Sequence, residues 1–109
     1  MAYDEPVAER VRRVAADIDG DVTERKMFGG LAFMLDGHMF VGIIGEELML
    51  RLGQEGADRA LARPHVREMD FTGRVMKGYV YVGSAGLQGR SLRAWVQRAA
   101  DFVRTLPPK

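Results

Sequence analysis

The segment from residue 25 to residue 52 constrains the fold most, because tight turns divide it into apolar stretches: RKMFGGLAFMLDGHMFVGIIGEELMLRL. Asp36-Gly37 is a strong signal for a two-residue hairpin, since a type I′ turn needs positive φ at both central positions. Gly45-Glu46 suits a type II′ turn, which places glycine first. The segment therefore predicts an antiparallel meander, with strands at about 25–28, 30–35, 38–44 and 47–52.

These turns set the register of the meander and sort its side chains onto two faces. A two-residue turn at Asp36-Gly37 pairs Phe33 with Phe40 and Met34 with Met39. The face that we expect to lie under helices is almost wholly aliphatic: Met34, Met39, Val41, Ile43, Leu48, Leu50 and Leu52. The opposite face is too apolar for water and is the predicted interface. It collects Leu31, Phe33, Leu35, His38, Phe40, Ile44, Met49 and Arg51.

The flanking segments predict helices and a further strand. Apolar residues recur at helical spacing in residues 4–20 and 91–106, which predicts two helices that pack on the core. A shorter helix is predicted between Gly53 and Pro64. Residues 75–83 alternate and are rich in β-branched and aromatic side chains, which predicts a strand that joins the meander after a crossover. The segment before that strand has no clean period and is either a loop or a brief edge strand.

Composition bounds the class of protein. The chain has 109 residues, of which 47% are hydrophobic and 28% charged, which matches a single domain over residues 1–109. Its lack of cysteine excludes disulfides, thiolate metal sites and cysteine nucleophiles. The sequence shows neither a basic start followed by an apolar leader nor an apolar run long enough to span a bilayer. We therefore expect a cytoplasmic protein with no membrane contact.

Few residues have the spacing that catalysis or metal binding requires. Gly29-Gly30 lacks the flanking pattern of a phosphate-binding loop, so a bulge or a tight strand crossing is the favoured interpretation. His38 and His65 are the only histidines, and they are too far apart to share the i,i+4 or i,i+2 spacing of paired ligands. We expect no catalytic residue, no bound metal and no cofactor.

Several segments, taken in order, resemble a known family. They are MFGG (Met27–Gly30), the DG turn, FTG (Phe71–Gly73), MKGYVYV and the closing helix with its tryptophan. Together they resemble the N-terminal domain of the TfoX/Sxy competence regulators. The resemblance implies an α+β two-layer sandwich, a mainly antiparallel β-meander sheet with helices packed on one face, similar to that of secretion chaperones.

The resemblance also implies a regulatory role. Full-length relatives act in transcriptional control of DNA uptake genes and carry a second, C-terminal domain. The present sequence stops at Lys109, before such a domain, so we expect it to retain the interaction surface alone. The predicted function is a non-enzymatic regulatory module that forms a homodimer, through the exposed sheet face or an edge strand, and binds an unidentified regulatory protein partner. Its predicted interface residues are Phe33, Phe40 and Arg51 on the second sheet face, and Met27, Phe28, Gly29 and Gly30 at a family-typical junction.

Two alternative functions depend on other residues. A nucleic-acid-binding accessory domain in transcriptional regulation would contact phosphates through Arg10, Arg12, Arg13, Arg25 and Lys26, although a formal net charge of +1 gives only weak steering toward nucleic acid. A small-ligand sensor or an undetected enzyme would use a pocket around His65, Arg67 and Lys77.

Overall fold

The computed structural model describes residues 3–27, 29–71 and 74–107 of the chain. Within that part, an α+β domain contains three α-helices, six strands and a short 3-10 helix. Phe28, and Thr72-Gly73 of the FTG segment, lie outside the described residues. The elements in chain order are α1 (Glu5–Ala15), β1 (Val22–Met27), β2 (Gly30–Leu35), β3 (His38–Ile44), β4 (Glu47–Arg51), α2 (Gly53–Ala60), β5 (Val66–Phe71), β6 (Arg74–Val82), the 3-10 helix (Ser84–Leu87) and α3 (Ser91–Val103).

The described strands form one antiparallel sheet in the order β1-β2-β3-β4-β6-β5. The predicted meander is present, and β6 joins it beside β4 as expected. The segment whose sequence has no clean period forms the edge strand β5. The two-layer α+β fold class is thus confirmed, with helices packed against one face of the sheet.

Local chemistry explains several element boundaries. Asp4 caps α1, because its carboxylate accepts a hydrogen bond from the backbone N–H of Val7 at 3.2 Å. Asp36 and Gly37 both have positive φ, as the predicted type I′ turn requires. The helix predicted to reach Gly20 ends at Ala15 instead, and a tighter turn follows in which Ile18 N–H donates to the Ala15 carbonyl at 3.1 Å.

The predicted β2–β3 register is wrong beyond its first two pairs. Met34 pairs with Met39 as expected, but a β-bulge follows and Phe33 pairs with Val41 instead of Phe40. A bulge sets two residues of one strand against one of the other, so it reverses the alternation beyond that point. As a result, Leu31, Phe33 and Leu35 share the face of Val41 and Ile43, while Met34 and Met39 lie on the opposite face.

The main core lies between the helices and one sheet face, which we call the covered face. Its strand residues include Leu31, Phe33, Leu35, Phe40, Val41, Ile43, Leu48, Leu50, Val80 and Val82, and its helix residues include Val11, Ala57, Ala60, Trp95, Val96 and Ala99. Val41 pairs with Leu50 and Ile43 with Leu48, which is the register that a two-residue turn at Gly45-Glu46 requires. The covered face was therefore predicted correctly for β4 and the end of β3, and incorrectly for β2.

Both ends of the described chain are attached near the ends of β3. Tyr3 forms a β-bridge with Gly45, where the N–H of Asp4 donates to the Gly45 carbonyl at 2.9 Å. At the other end, His38 Nε2 lies 2.7 Å from the Pro107 carbonyl oxygen. These contacts hold the first and last described residues against one central strand.

Candidate interaction surface

The sheet face opposite the helices, here called the open face, carries a second apolar cluster built from strand residues. Met49, Met69 and Tyr81 form its buried centre, and Met39, Ile44 and Tyr79 pack around them with partial exposure. Met49 is fully buried, because the neighbouring methionine and tyrosine side chains lie over it. The accessible part of this cluster therefore consists of Met39, Ile44 and Tyr79, which surround a buried methionine-tyrosine centre.

Charged groups lie over the aromatic rings of this cluster. The Arg67 guanidinium is centred 4.5 Å from the Tyr81 ring, and its Nε donates to a Glu47 carboxylate oxygen at 3.0 Å. Arg51 lies 5.9 Å from the Tyr79 ring centroid. Arginine over an aromatic face gains from the ring quadrupole while its outer N–H groups stay accessible. The rim is thus polar and the centre apolar, which is the usual layout of a protein interface.

Strand β4 places an acid, an apolar side chain and a base in line on the open face. Because strand side chains alternate, Glu47, Met49 and Arg51 point to the same side. Their pairing partners agree, since Met49 lies opposite Tyr81 and Arg51 lies opposite Tyr79. Reversing the direction of this strand exchanges the positions of its negative and positive charges.

The predicted interface residues divide between the two faces. Arg51 lies on the open face as expected. The assignment of Phe33 and Phe40 to an uncovered face is wrong, because both lie in the main core with relative exposures of 1% and 0%. The β2–β3 bulge is the physical reason. Because the predicted β2–β3 register is wrong, it places Met39 on the covered face and misses the part of that residue in this cluster. Tyr79 and Tyr81, by contrast, can be identified from the alternation of their strand.

The glycine pair of the MFGG segment has a backbone explanation. Gly29 has a φ of +72°, in the left-handed region that favours glycine. A Cβ added to Gly30 would overlap the backbone carbonyl oxygen of Ile43, which lies in the neighbouring strand β3. Met27 ends β1 beside this junction, pairing with Gly30. The geometry supports the tight crossing favoured from the sequence.

The structure does not group His65, Arg67 and Lys77 into one pocket. Arg67 stacks on Tyr81 at the open face. His65 has a φ of +68°, and its carbonyl accepts a hydrogen bond from Gly83 N–H at 2.9 Å. Lys77 lines a cleft beside α2, together with Asp58 and Glu68. Tyr79 lines the same cleft. The three residues predicted to form one pocket therefore lie in different surroundings.

The five basic residues proposed for phosphate contacts do not form one group, although Arg10 and Arg13 line the same cleft beside α3. Arg12 is ion-paired, with its Nε 2.8 Å from Glu24 and its Nη1 2.8 Å from Glu9, and these hydrogen bonds raise the pKa of its guanidinium further above the ordinary value. Arg10 donates to the Leu87 carbonyl at 2.6 Å. Arg25 and Lys26 are consecutive in β1 and so point to opposite faces.

His38 is a buried polar residue whose role the sequence did not reveal. Because the Pro107 carbonyl can only accept, Nε2 of His38 donates in this contact, and the neutral ring then has an unprotonated Nδ1. That Nδ1 is buried and has no hydrogen-bond partner within the described part of the chain. His38 is therefore engaged in fastening the segment after α3. Among the described residues, no group of three or more His, Cys, Asp or Glu side chains could hold a metal ion.

These features define a two-layer α+β domain with an antiparallel sheet whose second face carries a methionine-tyrosine cluster. The TfoX N-terminal domain family matches residues 14–103, and the chain belongs to that family. A comparison with curated proteins finds no match. In the described part of the chain, no helix has both the length and the apolar character needed to cross a membrane.

Proposed function

We propose that this chain is a non-enzymatic, cytoplasmic regulatory module that acts through protein–protein contacts, with the open face as its interface. Membership of the TfoX N-terminal domain family supports a regulator-like domain in general. The observation that best supports this proposal is the methionine-tyrosine cluster on the open face. Methionine adapts its shape to a partner surface, and tyrosine and arginine are the residues that contribute most at interfaces.

The proposed occupant of the open face is a second copy of this chain. In this dimer the two open faces lie against each other, and the two-fold axis runs between the sheets, perpendicular to β4 and above Met49. Glu47 of one copy then lies over Arg51 of the other, and the reverse pair forms by symmetry. Both pairs are of opposite charge. The partly exposed side chains of Met39, Ile44 and Tyr79 would be buried in the same contact. A regulatory protein partner would then bind the dimer.

The solution mass of the purified chain, measured by light scattering across a concentration series, tests this proposal. We expect a dimer that persists in high salt, because apolar burial stabilises it. Met39→Glu should give a folded monomer, since Met39 is partly exposed and an added carboxylate there can reach water. Met39→Leu should preserve the dimer. A wild-type chain that remains monomeric throughout would overturn the proposal.

Charge reversal tests the proposed orientation of the two copies. Arg51→Glu places two carboxylates opposite each other in the dimer, so it should shift the equilibrium toward monomer. Arg59→Glu is the matched control, because Arg59 lies on α2, where it pairs with Glu55 of the same helix. Equal effects of the two variants would contradict the β4-centred arrangement.

Absorbance at 260 nm on the same scattering peak distinguishes the nucleic-acid alternative. A monomer that carries nucleic acid, and loses it as salt is raised, would contradict the dimer proposal and favour phosphate contacts. A dimer with the absorbance spectrum of protein alone would support the protein-interaction module.

A further inference from the structure

A cleft of about 260 Å³ lies between α1 and the start of α3. Four arginines line it, two from each segment: Arg10, Arg13, Arg90 and Arg93. Its apolar lining comes from Val14 and Leu92, both of which are buried in the main core. The cleft therefore has a floor attached to the rigid core, and its lining side chains include no carboxylate.

Two of the four arginines are held in position by the protein. Arg10 donates to the Leu87 carbonyl at 2.6 Å, which ties α1 to the 3-10 helix. Arg93 forms an ion pair with Asp17 at 2.8 Å, with both side chains more than half exposed. Asp17 offsets one of the four positive charges, so the cleft and its rim keep a net positive charge of about three at neutral pH.

The side chains of the other two arginines are not held by the protein in this way. Arg13 and Arg90 are exposed, and neither side chain makes a hydrogen bond or an ion pair with any described residue. Arg90 also directly precedes the first turn of α3, where no side chain caps the helix. The helix dipole adds to the positive potential of the arginines at this end.

A larger cleft between α2 and α3 is also rich in arginine, but its charges are engaged within the protein. Arg59, Arg63 and Arg98 line that cleft, but Asp101 lies among them. Arg59 is paired with Glu55, and the guanidiniums of Arg63 and Arg98 lie 5.5 and 5.0 Å from the Trp95 ring centroid. The cations there already have partners in the protein, whereas the side chains of Arg13 and Arg90 have none among the described residues.

We infer that the α1–α3 arginine cleft binds the phosphate group of a small phosphorylated molecule. Guanidinium groups match the oxygen geometry of phosphate and form strong charge-assisted hydrogen bonds with it. A small molecule fits better than a nucleic acid, because the positive charge is confined to one cleft. The adjacent Arg12 is neutralised by Glu24 and Glu9, and Asp17 borders the other side. The site lies on the helical layer, so it is independent of the open face.

Titration of the full chain with inorganic pyrophosphate, at constant ionic strength, tests the inference. Calorimetry should give saturable binding to one site, and the backbone amide signals of Gly89 and Ser91 should shift in step with it. Arg13→Gln and Arg90→Gln should each raise the Kd about tenfold or more, because each removes a charged hydrogen-bond donor. Arg98→Gln, in the α2–α3 cleft, should leave the Kd unchanged. Circular dichroism checks that each variant is folded.

Three results would overturn the inference. The first is the absence of saturable binding. The second is an equal loss of affinity in Arg98→Gln, which would mean that pyrophosphate responds only to overall charge. The third is binding of a short DNA duplex, with steep salt dependence and sensitivity to Arg13→Gln, in a chain that does not bind pyrophosphate.

Discussion

The two faces of the sheet are built from the same strands but stabilised in different ways. On the covered face, Leu48 and Leu50 pack against helices with aliphatic and aromatic partners. On the open face, Met49 is equally buried, and the described residues that cluster around it are strand side chains. One face is closed by another layer of the protein, whereas the other is closed by long, adaptable side chains. Shielding of this second kind can be rearranged by a partner without unfolding the domain.

The largest effect should come from a charge on the covered face. Leu50→Asp buries a carboxylate without a partner, so the variant should fail to fold. Phe40→Asp should do the same, because Phe40 is fully buried. Far-UV circular dichroism and urea titration measure the outcome. A cooperative, wild-type-like transition in either variant would break the distinction between the faces.

A neighbouring pair in β2 tests the register directly. Phe33→Ala should lower the free energy of unfolding by about 3–5 kcal/mol, because it leaves a cavity in the core. Met34→Ala should cost about 1 kcal/mol, because Met34 is partly exposed on the open face. Urea denaturation of both variants provides the comparison. A β2–β3 register without the bulge would bury Met34 and expose Phe33. A larger loss of unfolding free energy in Met34→Ala than in Phe33→Ala would therefore support that register instead.

Gly30 and Gly42 differ in what an added Cβ would meet: a backbone carbonyl at Gly30 and a flexible side chain at Gly42. Gly30→Ala should destabilise by about 1–3 kcal/mol, because its Cβ meets the backbone of Ile43, which must shift. At Gly42 the Cβ lies 2.8 Å from the terminal methyl of Met49, which can rotate away. We expect Gly42→Ala to change stability by less than about 1 kcal/mol. Thermal unfolding of the two variants would contradict this view if Gly42→Ala proved the more damaging.

The smallest effects on stability should come from two ion pairs, Arg12–Glu24 between α1 and β1 and Arg67–Glu47 on the open face. Arg12→Ala should cost about 1 kcal/mol, since Arg12 links α1 to β1 through Glu24 with about one third of its side chain exposed. Arg67→Ala should affect stability by a similar or smaller amount but expose the Tyr81 ring, which is measurable by acrylamide quenching of tyrosine fluorescence. Higher salt should reduce the Arg12 effect. An effect that does not change with salt would point to packing by the arginine stem instead.

The sequence predicted most elements of this fold because their signals are local. Asp36-Gly37 defines its turn by itself, and the alternation in β6 identifies a strand without knowledge of its neighbours. The bulge at Phe40 is different, since nothing in the local pattern separates it from a regular strand and its position depends on packing under the helices. The same limit applies to the α1–α3 cleft. Arg13 and Arg90 are distant in sequence, and only the packing of two helices brings them together.

The attachment of both chain ends to β3 has a mechanical consequence. Tyr3 is bridged beside Gly45, and Pro107 accepts a hydrogen bond from His38, so the two attachments lie about 20 Å apart along the strand. A pulling force applied through the two ends would therefore run parallel to β3. The load would pass along the covalent backbone of β3 and not between β3 and its neighbours β2 and β4. The Tyr3–Gly45 bridge and the His38–Pro107 hydrogen bond should therefore open before the sheet does when the chain is pulled by its ends.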